Sequence, residues 1–142
     1  MKFYYLEPEV GGSPAGDNTI ADWIAHPPKI DRLHWEMDCW LGDVLLWSFP
    51  CWIATVATMN AIKSSGLTGT VFDDVEVTMT ENQRDFDPDL VLPDFVWLKV
   101  VGKAGHDDFG VARDLRLVVS ERALKLLQGL GISHAKVEPY NG

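Results

Sequence analysis

The spacing of apolar residues changes several times along the chain, and each change marks an element. In RLHWEM (32–37), Leu33, Trp35 and Met37 alternate with Arg32, His34 and Glu36, the period of two of a half-buried strand. KFYYL (2–6) opens the chain as an aromatic-rich strand, CWIAT (51–55) is apolar enough for a central one, and FVWLKVV (95–101) is apolar apart from Lys99. LRLVVS (115–120) is a further strand, and VFDDVEVTM (71–79) reads as a single one with Val75, Val77 and Met79 on one side. WLGDVLLWSFP (40–50) reads differently: Leu41, Val44 and Leu45, with Phe49 as a further member, share one face of a short helical turn limited by Gly42 and Pro50.

Two stretches carry a helical period with signals at both ends. Thr55 is placed to cap a helix whose apolar face is Val56, Met59 and Ile62, and Gly66 to take the left-handed position after it. Ser120 does the same for Ala123, Leu124, Leu127 and Leu130, with Gly131 at the end and Val119 and Leu124 placed as a hydrophobic staple. Cap and glycine are eleven residues apart both times, which fits an ancestral duplication but also recurs by chance in ten-residue helices. Each helix leads into another strand candidate, the second into HAKVE (134–138). The expected fold is α+β: a mainly antiparallel sheet with two short helices in strand–helix–strand units. Between strands, residues 8–16 are broken by three glycines and two prolines, and Trp23 and Ile24 just beyond them call for burial. Residues 81–95 read as a charged surface connection.

Composition narrows the class. A chain of 142 residues with 46% apolar content suits one domain over 1–142. MKFYYLEPEV lacks the apolar core and cleavage site of a signal peptide, and no apolar run approaches the ~20 residues of a membrane span, so the expected location is the cytosol. Cys39 and Cys51 lack CxxC spacing and read as free thiols. A net charge of −9 has the wrong sign for gripping phosphate backbones, and residues 73–94 alone hold eight acids against Arg84, a local balance of −7. Such a run is either a solvated connection or an attractant for a basic partner, in which Asp85, Asp87 and Asp89 are the central carboxylates.

Candidate chemistry concentrates in GKAGHDDFG (102–110), a glycine-bounded acidic loop between two apolar strands. Gly105 and Gly110 permit backbone angles that set His106, Asp107, Asp108 and Phe109 at the end of a two-stranded frame, with one aspartate holding the turn, the other facing outward, and Phe109 plugging the core beneath. A metal or acid–base role for His106, Asp107 and Asp108 would need ligands from His26, His34 or His134, and none of these has a helical partner four residues away. The glycines match no phosphate-binding pattern, no serine has a nucleophile-elbow context, and neither cysteine has basic neighbours. No catalytic residue, metal site or cofactor is therefore expected. Six tryptophans fall into two groups: Trp35, Trp52 and Trp97 on apolar strands, expected inside, and Trp23, Trp40 and Trp47 among polar neighbours.

With these motifs in view, LHWEMDCWLGD followed by SFPCWIAT, and WLKVVGKAGHDDFG followed by LRLVVSERALKLL and GISHAKVE, the chain resembles the eleventh immunity-protein family of bacterial polymorphic toxin systems nearly end to end. The resemblance implies a cytosolic protein that binds the C-terminal domain of a cognate toxin and neutralises it stoichiometrically, without catalytic residues of its own. It does not fix the oligomeric state. Expected partner-binding residues are His106, Asp107, Asp108 and Phe109 in the loop, and Asp85, Asp87 and Asp89 in the acidic run. The alternative, from another class, is a small enzyme centred on His106 to Asp108.

Overall fold

A computed structural model describes residues 2–142. Its elements, in chain order, are β1 (Phe3–Glu7), β2 (Gly12–Ser13), β3 (Ile20–Asp22), β4 (Lys29–Arg32), β5 (His34–Met37), β6 (Leu45–Ser48), β7 (Cys51–Thr55), α1 (Val56–Ser64), β8 (Thr70–Asp73), β9 (Glu76–Met79), α2 (Glu81–Phe86), β10 (Phe95–Val100), β11 (Phe109–Val111), β12 (Leu117–Ser120), α3 (Glu121–Leu130) and β13 (Lys136–Tyr140). The fold is α+β. Two four-stranded sheets, ordered β11-β12-β1-β13 and β6-β7-β10-β8, are antiparallel throughout. A three-stranded sheet, β2-β5-β9, has one parallel pair, β5 with β9, and β3 and β4 form a separate hairpin. Among the described residues no helix is long and apolar enough to cross a membrane.

The sheet built on β7 and β10 is the middle layer, and its burial pattern follows from that position. Along β7, Trp52 and Ala54 enter one apolar cluster while Cys51 and Ile53 enter another, so all five residues of the strand are buried. The first cluster also takes in Leu6, Phe109, Leu117 and Val119 from the neighbouring sheet, with Ile62 of α1 and Leu124 and Leu127 of α3. The second takes in Leu33, Trp35 and Met37 around β5. This layering overturns the helical turn expected over residues 40–50. Leu45 and Leu46 are both fully buried, one in each cluster, which adjacent residues achieve only on a strand covered on both faces.

The two strand–helix–strand units correspond in detail. In each, the helix joins two strands that flank a third, antiparallel strand: β10 lies between β7 and β8, and β1 between β12 and β13. Leu98 faces Trp52 and Phe72 in the first, as Leu6 faces Leu117 and Val137 in the second. Thr55 and Ser120, opposite Phe95 and Phe3, cap their helices by accepting from the N–H groups of Thr58 and Ala123. A hairpin strand, β6 or β11, precedes each unit on its outer edge. The likeness thus extends from cap spacing to strand order and register, with the N-terminal strand completing the second unit.

Three further expectations change. VFDDVEVTM is two strands, because the chain leaves β10 after Asp73 and re-enters beside β5 at Glu76. The charged connection contains α2, capped by Thr80 and pinned by the buried Gln83, whose side-chain oxygen accepts from the Trp40 N–H at 2.8 Å. Trp23 and Ile24 are exposed at the tip of the β3–β4 hairpin, where no layer covers them. Trp35, Trp52 and Trp97 are buried, as their strands require.

Candidate functional site

The loop after β10 carries the chain from the middle sheet to the outer one. Its turn closes with the N–H groups of His106 and Asp107 both donating to the Lys103 carbonyl, while the Asp107 carboxylate accepts from the Lys103 N–H at 2.7 Å. Gly105 takes φ 77° at the tip. Gly110 is required for a different reason than expected: its φ is ordinary, but a Cβ there would lie 2.3 Å from the Ala104 nitrogen.

Asp108 is the hub beneath this turn. Its carboxylate accepts from the Thr68 N–H at 2.9 Å, the Ser120 hydroxyl at 2.6 Å, and Nε and Nη2 of Arg122 at 2.8 and 2.6 Å. It therefore ties the loop to the residues after α1 and to the first turn of α3. The bidentate Arg122 guanidinium holds its pKa well below the usual carboxylate range, against the opposing pull of burial. Phe109 is 0% exposed and Asp108 5%, so neither presents a surface to a partner. This corrects their placement among partner-binding residues, and it corrects the outward-facing aspartate: both aspartates accept backbone N–H groups. His106 is exposed at the turn and remains available.

Asp85, Asp87 and Asp89 are exposed at the end of α2 and in the segment after it. Other acids of the run are engaged: Asp73 receives Lys99 at 2.8 Å, which lowers its pKa, and Glu76 accepts from the Asn18 amide at 2.9 Å. Among the described residues no Lys, Arg or His nitrogen comes within 4.0 Å of Asp85, Asp87 or Asp89. Beside them Phe86 is 54% exposed and Val91 88%. The result is one exposed stretch of chain, residues 85–91, that carries three carboxylates without a salt-bridge partner and two exposed apolar side chains; His106 lies on a different segment. Burying such apolar side chains against a partner is favourable, and the carboxylates select one of opposite sign.

A second group of ionisable residues escaped the sequence reading. Asp43, 2% exposed, stands just before β6 and accepts from the His134 N–H and from His134 Nδ1, both at 2.9 Å. Glu9, 5% exposed, accepts from the N–H groups of Leu41 at 2.6 Å and Asp43 at 3.1 Å. The Asp43 carboxylate raises the pKa of His134 above its ordinary value. Asp43 and Asp108 occupy corresponding places, each just before the outer strand of one unit and each bonded to a backbone N–H beyond the helix of the other. No protein-family model matches the chain, and no curated protein matches it.

Proposed function

We propose that the protein is a stoichiometric binding inhibitor that neutralises a basic protein partner, the cognate toxin domain implied by its resemblance to the immunity family. The observation that carries this reading is the exposed stretch at the end of α2 and just after it, where Asp85, Asp87 and Asp89 have no cation within salt-bridge distance and stand in sequence beside the exposed Phe86 and Val91. Unpaired carboxylates accelerate encounter with a basic surface, and apolar side chains among them supply contact area once the partners meet. The buried hub of Asp108 is scaffold. The rival reading, an enzyme centred on His106 to Asp108, loses its carboxylate base: Asp108 is held anionic by Arg122 and turned inward, and Asp107 is committed to its own turn. Co-expression with the product of the adjacent gene tests the proposal. A complex of one copy of each chain and rescue of growth are expected; time-dependent inactivation by substoichiometric amounts, leaving the partner chemically altered, would overturn it.

A further inference from the structure

The two units neutralise their buried aspartates in different ways, and the difference points to a ligand. Asp108 is a single carboxylate with a permanent guanidinium at 2.6 Å. At the corresponding place stand two buried carboxylates, Asp43 and Glu9, and among the described residues the one basic side chain within 4.0 Å of either is His134. Two buried carboxylates therefore face one imidazole, with no guanidinium or ammonium group beside them among the described residues. The three side chains converge: one ligand atom from each of Glu9, Asp43 and His134 lies within 4.8 Å of the others.

We propose that Glu9, Asp43 and His134 form a binding site for one divalent first-row transition ion, of the class that takes mixed carboxylate and imidazole ligands, such as zinc, cobalt or manganese. The separation of Asp43 Oδ1 and His134 Nδ1, 2.9 Å, is the bite such an ion needs. Two bonds of ~2.1 Å set at 90° place their donor atoms about 3.0 Å apart, and at the tetrahedral angle about 3.4 Å. Glu9, with a carboxylate oxygen within 4.8 Å of both other ligand atoms, moves in to supply the third ligand. The backbone groups already hold the ligands in orientation, since Leu41 and Asp43 donate N–H groups to Glu9 and His134 donates its own N–H to Asp43 Oδ2. Each carboxylate oxygen keeps a lone pair for metal. Access is open, because Glu9 and His134 line one cavity of about 420 Å³ with Glu7, Leu41, Trp47 and Lys136, room for waters that complete the coordination shell. On binding, the metal–Nδ1 bond replaces the Nδ1–H bond and the proton leaves to solvent.

The ion would clamp three distant segments: the chain after β1, the turn before β6 and the turn after α3. The site is thus structural, and a metal would do here what Arg122 does for Asp108. The test uses the full chain, freed of metal by chelator and titrated with Co²⁺, whose visible absorption reports nitrogen and oxygen ligation. Expected are saturation at one ion per chain, a raised melting temperature, and affinity lowered at least tenfold in His134→Gln and in Asp43→Asn. His134→Gln alters a partly exposed side chain and keeps the test valid if Asp43→Asn folds poorly. His106→Gln, and joint replacement of Asp85, Asp87 and Asp89 by Asn, should leave the Co²⁺ spectrum unchanged. Absence of binding by the unaltered chain, or equal affinity in His134→Gln, would overturn the assignment.

Discussion

Asp108→Ala removes the carboxylate that holds three parts of the fold together, and the structure gives a scale for the loss. Four well-formed donors lose their acceptor: the Thr68 N–H, the Ser120 hydroxyl, and two nitrogens of Arg122. Arg122 is 56% exposed and regains water, so its share is small despite the short contacts. The Ser120 hydroxyl is buried and the Thr68 N–H partly so, and each unpaired donor costs about 1–2 kcal/mol. The sum is about 3 kcal/mol, equivalent to a fall of about 10 °C in melting temperature for a chain of this size. Thermal unfolding followed by circular dichroism reads it directly. Arg122→Ala should cost less, because Asp108 keeps its Thr68 and Ser120 donors, although it loses its counter-charge; Asp107→Ala, which loses one turn hydrogen bond, should cost about 1 kcal/mol. The pH dependence has a definite sign. Because the folded-state pKa of Asp108 is lowered, its contribution is complete above the ordinary carboxylate value of 3.8 and drains away as the pH falls from there toward the folded value. Asp108→Asn should therefore flatten the acid limb of the stability profile. An Asp108→Ala protein that melts within about 1 °C of the unaltered chain, or an Arg122→Ala protein that loses as much, would refute this account of the hub.

Phe109→Ala should cost about 3–5 kcal/mol through the cavity left in the first cluster, and denaturant unfolding measures it. Any loss of partner affinity in that variant should vanish once only folded protein is counted. Of the two free thiols, Cys39 is exposed, whereas burial pushes the Cys51 thiol up to about 12; a thiol reagent at neutral pH should label one cysteine per folded chain and both in denaturant.

Those parts of the fold with local, redundant signals were legible in the sequence. Both main helices have a capping hydroxyl, an apolar face and a closing glycine within eleven residues, and Gly66 takes the expected left-handed position after α1, where the Leu67 and Gly66 N–H groups bond the Ile62 and Lys63 carbonyls as a Schellman pair. Strands covered on one face kept their period of two, as Leu33, Trp35 and Met37 show. That signal disappears in the middle sheet, where burying both faces made Leu45 and Leu46 neighbours in sequence but not in the core. The break at Asp74 left no trace because both halves of VFDDVEVTM have strand composition. For α2 a signal did exist, since Thr80 and Gln83 have the spacing of a capping box, but five polar residues and a single phenylalanine make no apolar face to support it. The loop was found by its glycines, whereas the inward turn of Asp108 depends on Arg122, fourteen residues on in another element. Glu9, Asp43 and His134 meet across separations of 34 and 91 residues, and nothing local announces them.

The most direct test of the binding account is the association rate with the cognate toxin domain, measured by stopped flow across a range of ionic strength, for the unaltered chain and for the Asp85→Asn, Asp87→Asn, Asp89→Asn triple variant. These side chains are exposed and unpaired, so folding should be unaffected. The account predicts a one-to-one complex whose on-rate falls as salt rises, and a triple variant about tenfold slower at low salt with a shallower salt slope. An identical on-rate and salt slope for both proteins would contradict the placement of the interface on this stretch.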